Sequence, residues 1–226
     1  MTPRTALITG AGRGLGLAVA AELARRGLRV VVTARDAASA ARAAARTGPG
    51  VLAHPLDVTD PDAARGAAER LPAVDVLVCN AGVLLDAGHD PLTVPDGLVE
   101  RTVAVNLLGG WRVARAFVPG MVRRGWGRVV FVSSATGSFH LGLWSGAPAY
   151  ALSKTAVNGL TTLLAERTRG TGVLVNAVNP GRVRTRMAPA AERTAEEAAV
   201  DVADAATLPD DGPTGAFLAR GRRIPW

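Results

Sequence analysis

The stretch "TGAGRGLG", residues 9–16, lies between an apolar run and an alanine-rich segment of helical character. Glycines at 10, 12, 14 and 16 let the backbone turn sharply and approach a pyrophosphate closely. The unpaired N–H groups of the following helix would then face that anion. A glycine-rich string alone is a weak signal, because a tight turn uses the same residues. A strand before it and a helix after it favour a dinucleotide-binding loop.

The rest of the chain continues the alternation of short apolar runs with alanine- and arginine-rich stretches. Predicted strands cover residues 4–9, 28–34, 50–58, 74–80, 127–134, 172–181 and 215–221. Predicted helices cover residues 15–26, 36–48, 60–71, 96–124, 147–169 and 195–208. This order predicts an α/β fold, a Rossmann-type doubly wound sheet of about seven mostly parallel strands with helices on both faces. We expect a single domain over 1–226, with a cofactor half at about 1–110 and a catalytic and substrate half at about 111–226.

Several residues carry local structural predictions. Asp36 is expected to cap the helix that follows it, and Asp60 is expected to cap the next helix with Pro61 at its first position. Pro119 is expected to bend or end the helix over 96–124. Cys79 is expected to be a small, buried strand residue.

Composition narrows the function classes. The chain has 226 residues, a net charge of +7 and 48% hydrophobic residues. Its arginines are scattered over many elements, which argues against nucleic acid as the main partner and suits an anionic small molecule. A single cysteine excludes an internal disulfide, and no apolar run approaches the roughly 18 residues of a membrane span. We therefore expect a cytoplasmic protein with no membrane or nucleic-acid partner and no metal site.

The residues after the second predicted strand bear on the choice of cofactor. An acidic residue about 20 positions after the glycine loop often binds the ribose 2′-hydroxyl, and Asp36 lies near that place. However, Arg35 comes first, and a guanidinium there suits a 2′-phosphate. Arg13, inside the glycine loop, is expected to reach the same phosphate. This favours NADP(H), with NAD(H) as the alternative.

The stretch "YALSK", residues 150–154, holds the only tyrosine and the only lysine of the chain. On a helix, Tyr150 and Lys154 share a face. Reduction of a ketone needs a proton donor, and a free tyrosine has a pKa near 10. A neighbouring ammonium favours the phenolate, so we expect Lys154 to lower the pKa of Tyr150. The alternative is an ordinary half-buried aromatic residue beside a solvated lysine.

With these motifs in order, the chain resembles the classical short-chain dehydrogenase/reductase family. The matching segments are "TGAGRGLG", "DV" at 57–58, "NAG" at 80–82, Asn106 in "VAVNLLG", Ser134 in "VFVSS", Tyr150 with Lys154, and "NPGRVRT" at 179–185. The ending "GPTGAFLARGRRIPW" resembles that of carbonyl-reductase-like members. The resemblance spans most of the chain.

The resemblance implies a role for each matching residue. Tyr150 is the acid/base, Lys154 also binds the nicotinamide ribose, Ser134 holds the substrate oxygen, and Asn106 anchors a water relay. The implied cofactor-binding residues are Gly10, Arg13, Gly14, Leu15, Gly16, Arg35, Asp57, Val58, Asn80, Ala81, Gly82, Tyr150, Lys154, Pro180, Gly181, Val183 and Thr185. Ser133 and Ser138 are local rivals of Ser134, although side chains alternate along a strand and only one of Ser133 and Ser134 can face the cleft.

Two segments differ from a compact family member. The stretch between Ser134 and Tyr150 is a little long, and its His140 and Trp144 are expected to line a pocket for a hydrophobic carbonyl or alcohol. The alternative is that these residues pack against a neighbouring helix or subunit. The stretch after Thr185, "RMAPAAERT", is short, which predicts an open site.

These observations predict an NADP(H)-dependent oxidoreductase that interconverts a small-molecule carbonyl and an alcohol. The rival hypothesis is an NADP(H)-binding sensor or scaffold without turnover, against which intact Ser134, Tyr150 and Lys154 argue. By the same resemblance, we expect a homo-oligomer, a dimer or tetramer, that pairs through the helices at 96–124 and 147–169.

Overall fold

A computed structural model describes residues 3–226 and shows one eight-stranded sheet. Its strands are β1 Thr5–Ile8, β2 Arg29–Ala34, β3 Leu52–Pro55, β4 Val76–Cys79, β5 Gly127–Val132, β6 Val173–Val178, β7 Phe217–Ala219 and β8 Arg222–Ile224. Their order across the sheet is β3-β2-β1-β4-β5-β6-β7-β8, and every pair is parallel except β7 with β8. The fold is therefore the predicted doubly wound, mostly parallel sheet.

Helices connect the strands. They are α1 Gly14–Arg25, α2 Ala37–Thr47, α3 Ala63–Arg70, α4 Asp96–Val103, α5 Gly110–Arg124, α6 Pro148–Arg167 and α7 Ala195–Ala206. A π-helical segment, Ala104–Gly109, joins α4 to α5, and a short 3₁₀ turn, Ala135–Gly137, follows β5.

The core has two layers because strand side chains alternate between the two faces of the sheet. In β2, Val30 and Val32 pack into one cluster with α1 and α7, whereas Val31 packs into the other with α3, α5 and α6. A strand covered on both sides must be apolar throughout, which accounts for the continuous run "VVV" at 30–32.

The eighth strand differs from the predicted seven. The predicted strand at 215–221 ends at Ala219, and the chain turns back through Arg220 and Gly221 into β8. Both turn residues have positive φ, 49° and 70°, as in a type I′ hairpin turn. "ARGRRI" carries only one glycine and no apolar alternation, so its turn was not evident in the sequence.

Some predicted helix boundaries are confirmed and others are wrong. The Asp36 side chain accepts a hydrogen bond from the Ser39 N–H at 2.7 Å, which confirms it as a cap. However, the next helix begins at Ala63, so Asp60 and Pro61 lie outside it. Asp60 instead accepts from the Asp62 N–H at 2.9 Å in a turn before the helix.

Pro119 does not end its helix. It lies inside α5, which continues to Arg124 and stops at Gly125 with φ of 71°. A left-handed glycine after the last turn is a common helix ending.

β1 and β4 are neighbours in the sheet although β2 and β3 follow β1 in sequence. Strand order therefore reverses between β1 and β4, and ligands of such sheets bind outside the carboxyl ends of the strands at this point. The connections that leave β1, β4, β5 and β6 all meet at that edge.

Candidate active site

The family-matching residues lie in the connections that leave the carboxyl ends of the strands. The glycine loop follows β1, Arg35 follows β2, Asp57 and Val58 follow β3, and Asn80–Gly82 follow β4. Ser134 follows β5, the stretch 180–185 follows β6, and Tyr150 and Lys154 lie on α6. The fold therefore brings residues from all parts of the chain to one edge of the sheet.

The glycine loop is tightly packed against the connection after β4. Gly10 has φ of 64°, and a Cβ atom there would lie 2.8 Å from the Cα of Ala81. A Cβ atom at Gly16 would lie 2.4 Å from Nδ2 of Asn80. Only glycine fits at these positions. Helix α1 starts within this stretch, at Gly14, and Arg13 provides no side-chain cap, so the first N–H groups of the helix lie at the same edge without a side-chain partner from the cap.

Asn80 and Thr9 tie the two connections together. Asn80 Nδ2 donates to the carbonyl oxygens of Thr9 and Gly10 at 2.9 and 3.2 Å. The Thr9 hydroxyl accepts from the N–H groups of Asn80 and Ala81, both at 3.0 Å. The side-chain amide of Asn80 therefore holds the start of the glycine loop in place.

The connection after β6 reaches the other side of the glycine loop. Gly181, with φ of 75°, donates its N–H to Asn179 Oδ1 at 2.9 Å, and Pro180 and Val183 are buried. A Cβ atom at Gly14 would lie 3.3 Å from Cγ2 of Thr185. The short segment after Thr185 therefore runs past the start of α1.

Arg35 and Arg186 both lie near Arg13 at this edge. Burial and the nearby charges of Arg186 and Arg35 lower the pKa of Arg13 below its ordinary value. Arg13, Arg35 and Arg186 are all exposed. Sequence reasoning identified the first two but missed Arg186, because it lies 151 positions beyond Arg35 and matches no motif.

Asp57 and Val58 lie at the end of β3, beside the π-helical segment. Val58 is buried, and a Cβ atom at Gly109 would lie 2.7 Å from its Cγ2. The Asp57 carboxylate accepts from the Thr59 N–H at 2.9 Å and from the Thr59 hydroxyl at 2.7 Å. Both residues therefore form part of the wall at the end of β3.

Tyr150 and Lys154 lie one helical turn apart on α6. The Lys154 ammonium is 5.6 Å from the centre of the Tyr150 ring and donates to the Val132 carbonyl oxygen at 2.7 Å. A Cβ atom at Gly82 would lie 3.7 Å from Lys154 Nζ, which places the ammonium beside the connection after β4. The two side chains therefore lie between the β4 and β5 connections.

The sequence predicted a lowered pKa for Tyr150, and the structure shows the opposite shift. Burial raises the pKa of Tyr150 above its ordinary value, and the neighbouring Ser134 hydroxyl offsets only part of that rise. Burial also lowers the pKa of Lys154 to about 8. Burial therefore dominates the pKa values of both residues, and the Lys154 charge does not lower the pKa of Tyr150 as the sequence predicted.

The three serines have distinct surroundings. Ser134 is half-buried, and its hydroxyl lies beside Tyr150 and accepts from the Thr136 hydroxyl at 2.9 Å. Ser133 is buried and donates to Asn158 Oδ1 at 2.6 Å. Ser138 donates to the carbonyl oxygen of Pro225 at 3.3 Å. Only Ser134 is placed against the phenol.

Asn106 lies in the π-helical segment, which sequence reasoning did not predict. Its Oδ1 accepts from the Val83 N–H at 2.8 Å, and its Nδ2 donates to the Val83 carbonyl and the Ser153 hydroxyl, both at 2.9 Å. The amide therefore has both N–H donors engaged. A π-turn inside a helix is frequent at functional sites.

The segment between Ser134 and Tyr150 forms an exposed apolar surface beside the site. Phe139, Leu141, Leu143 and Trp144 are all exposed, and His140 is exposed with its N–H bound to the Trp226 carbonyl at 3.0 Å. Residues 179–194 form turns and two isolated bridges and contain no helix. The stretch after β6 therefore lacks a helical cover.

Two further findings concern the described residues 3–226. No helix there is long and apolar enough to cross a membrane. No three His, Cys, Asp or Glu side chains there are grouped as metal ligands would be.

Known proteins match both the sequence and the structure. The model of the short chain dehydrogenase family matches residues 4–196. Galactitol 2-dehydrogenase (L-tagatose-forming) of Cereibacter sphaeroides is 39% identical over 186 residues, which cover 80% of this chain and 72% of that enzyme. D-beta-hydroxybutyrate dehydrogenase of Rhizobium meliloti is 35% identical over 191 residues, which cover 80% of this chain and 72% of that enzyme.

A solved structure described as a short chain dehydrogenase/reductase family protein is also similar. It superimposes with a TM-score of 0.86 at 31% identity and covers 96% of this chain and 94% of that chain. The sequence match and the structural match agree over most of the chain. The chain therefore belongs to the short-chain dehydrogenase/reductase family of oxidoreductases.

Proposed function

We propose that the chain is an NADP(H)-dependent oxidoreductase that interconverts a carbonyl and an alcohol, with Tyr150 as its acid/base. The observation that carries this proposal is the meeting of Ser134, Tyr150 and Lys154 at the carboxyl edge of the sheet. The glycine loop lies at the same edge. A proton donor and an anion-binding loop together suit a reductase better than a protein that only binds a nucleotide.

The residues present fit a dinucleotide. At Gly10 the close approach of Ala81 leaves no room for a side chain, and α1 begins without a side-chain cap, so backbone N–H groups are free for a pyrophosphate. We assign Gly10, Gly14, Leu15 and Gly16 to that role, and Asn80–Gly82 to the middle of the site. We assign Asp57 and Val58 to the adenine, and the stretch 180–185 to the nicotinamide. When bound, the nicotinamide supplies or accepts the hydride.

The cluster of Arg13, Arg35 and Arg186 supports the phosphorylated cofactor. Arg13 has a lowered pKa because of burial and of the charges of Arg186 and Arg35, so the three guanidinium groups form a positive corner. A phosphate with two negative charges offsets that repulsion, whereas a ribose hydroxyl does not. Asp36 is occupied as a helix cap by its bond to Ser39, which favours the arginines over the acid as the specificity group.

The protein residues handle the proton and the substrate oxygen. Because its pKa is raised, Tyr150 keeps its proton at neutral pH and is set to give it to a developing alkoxide. Ser134 holds the same oxygen through its hydroxyl. The Lys154 ammonium keeps positive charge near the phenol and favours the phenolate once the proton has left.

The exposed apolar segment 139–144 points to a substrate with apolar character. Trp144 is 43% exposed and Phe139 is 73% exposed, so this surface is open to solvent beside the catalytic residues. We assign His140 and Trp144 to the wall of the substrate pocket. The lack of a helical cover over 179–194 leaves the entrance open to bulky molecules.

The proposed reaction is tested by NADPH consumption against a panel of ketones and quinones, with cofactor binding measured separately. We expect turnover with at least one apolar ketone. Tight cofactor binding with no turnover across the panel would contradict the proposal and favour a sensor or scaffold.

The cofactor preference is tested by Arg35→Ala. We expect NADPH to bind about 10-fold more weakly or worse, since a hydrogen bond to a charged group contributes roughly 1.5–3 kcal/mol. NADH binding should change less than about threefold. Arg29→Ala is the matched control, because Arg29 is an exposed arginine at the opposite end of β2. Equal losses for both cofactors would overturn the NADP(H) assignment.

A further inference from the structure

Helix α6 carries Tyr150 in its first turn, and that turn has no cap of its own. The residue before the helix is Ala147, which has no side-chain acceptor. The first N–H groups of a helix have no intrahelical partner and need one from elsewhere. A frayed first turn would move Tyr150, because it is the third residue of the helix.

Asp86 supplies the missing acceptor from a distant part of the chain. Its Oδ2 accepts from the Ala149 N–H at 2.6 Å and from the Tyr150 N–H at 3.3 Å. Pro148 has no N–H, and the Ala151 N–H reaches the Ala147 carbonyl at 2.9 Å in the first intrahelical bond. Asp86 thus completes the hydrogen bonding of the first turn of α6.

Asp86 is itself held firmly. It is fully buried, its carbonyl accepts from the His89 N–H at 3.1 Å, and the Gly88 N–H donates to the Gly146 carbonyl at 2.7 Å. A carboxylate at a helix N-terminus also interacts favourably with the helix dipole. Its other carboxylate oxygen, Oδ1, is buried without a hydrogen-bond partner. Burial of a charge costs stability unless it is hydrogen-bonded, so the two N–H groups of α6 and the helix dipole are what offset that cost here.

The backbone of Tyr150 is bound on its other side as well. The Ser153 hydroxyl donates to the Tyr150 carbonyl at 2.7 Å and accepts from Asn106 Nδ2 at 2.9 Å. Asn106 in turn binds Val83, three residues before Asp86. The connection after β4 therefore binds the N–H of Tyr150 directly, through Asp86. It reaches the Tyr150 carbonyl only indirectly, through Asn106 and Ser153.

We propose that Asp86 is a positioning residue for catalysis, which fixes the backbone of Tyr150 by capping α6 and so sets the phenol against Ser134. This inference rests on the proposed role of Tyr150. Small displacements of a catalytic group cost up to about 10²-fold in rate, so a lost cap is expected to lower kcat more than it changes KM.

The test compares Asp86→Asn with Asp86→Leu. The two side chains are similar in size, but asparagine has an oxygen that accepts hydrogen bonds and leucine has none. In Asp86→Asn the amide oxygen still accepts from both N–H groups, and asparagine caps helices about as well as aspartate. We expect Asp86→Asn to keep kcat within about threefold and Asp86→Leu to lose about 10-fold or more, with NADPH affinity unchanged in both. Asp90→Ala is the control, because Asp90 lies in the same connection and its side chain accepts from the Leu92 N–H, away from α6. Equal kcat in all three variants would overturn the proposal.

Hydrogen exchange of the unmodified protein tests the cap without relying on catalytic activity or on the folding of a variant. Hydrogen exchange of the Ala149 and Tyr150 amides is expected to be slow, although the first amides of a helix ordinarily exchange quickly. Fast exchange at both would overturn the proposal even if the enzyme turns over. If exchange is slow but no substrate is reduced, the cap stands and the proposed reaction fails.

Discussion

Lys154 is the residue whose burial conflicts most with its charge. Its ammonium is buried and has a pKa of about 8, against an ordinary value of 10.5. Burial disfavours the charged form, and the hydrogen bond to the Val132 carbonyl does not offset it fully. A lysine in this position costs stability, which supports the role proposed for its charge.

This cost predicts a pH dependence of stability. Between pH 8 and 10.5 the unfolded chain keeps the Lys154 proton while the folded chain has lost it. Stability attributable to Lys154 therefore rises with pH in that window, by up to about 1.4 kcal/mol per pH unit. Below pH 8 both states are protonated and the contribution is constant.

The measurement is urea unfolding of the wild type and Lys154→Met at several pH values without cofactor. The difference between the two isolates Lys154 from Cys79, whose burial raises its pKa to about 12 and acts with the opposite sign above about pH 9. A difference that does not change between about pH 8 and 10 would show that the ammonium is not desolvated.

The sequence predicted that Tyr150, Lys154 and Ser134 are neighbours. It did not predict how burial shifts the pKa values of Tyr150 and Lys154. The i and i+4 spacing of Tyr150 and Lys154 places them on one helix face. Their desolvation depends on side chains from many elements, which spacing alone does not show. Arg186 and Asp86 were missed for a similar reason, since each acts across a long sequence separation.

Among the elements, the turn after β5 approaches α6 closely. A Cβ atom at Gly137 would lie 2.6 Å from the backbone of both Lys154 and Thr155. The Gly137 carbonyl also accepts from the Thr155 hydroxyl at 3.0 Å and from Asn158 at 3.2 Å. This contact holds Ser134 against the helix that carries Tyr150.

Two glycine substitutions test this contact. Gly137→Ala pushes rigid backbone apart, so we expect a loss of about 1–3 kcal/mol in the free energy of unfolding and at least about a 10-fold lower kcat. Gly97→Ala, on α4 with no atom near its Cβ position, should stabilise by about 0.5–1 kcal/mol with unchanged kcat. Urea unfolding and NADPH consumption measure both. An unaffected Gly137→Ala variant would contradict the importance of the contact.

The elements were predictable where one local signal determines them. β2 follows from its run of valines, and α2 begins at Asp36 because that side chain caps it. β8 and the π-helical segment were not predictable, because each depends on contacts with other elements. The start of α3 was missed because "DPDAAR" contains two aspartates, and the first of them forms a turn instead of a cap.

Over the whole molecule, exposed large apolar residues lie on α5 and α6 as well as on the segment 139–144. Trp111 is 42% exposed, Leu152 57% and Leu163 67%. Large exposed apolar side chains that cluster on one surface favour association. We propose that copies of the chain pair through these helices.

Substitution by charge tests the pairing. Leu163→Arg is expected to shift the sedimentation mass from dimer or tetramer to monomer, because a charge at the centre of an apolar interface is left desolvated. Leu92→Arg is the control, since Leu92 is 93% exposed and lies in the connection after β4. A wild type that sediments as a monomer would contradict the proposal.

The central claim is that Tyr150 exchanges the proton with the substrate oxygen. The most direct test is kcat for NADPH-dependent ketone reduction by Tyr150→Phe, which removes only the hydroxyl of the single tyrosine in the chain. We predict a loss of about 10²–10⁴-fold in kcat, the usual contribution of a positioned proton donor, with NADPH affinity within about threefold of the wild type. A Tyr150→Phe enzyme with full activity would contradict the account.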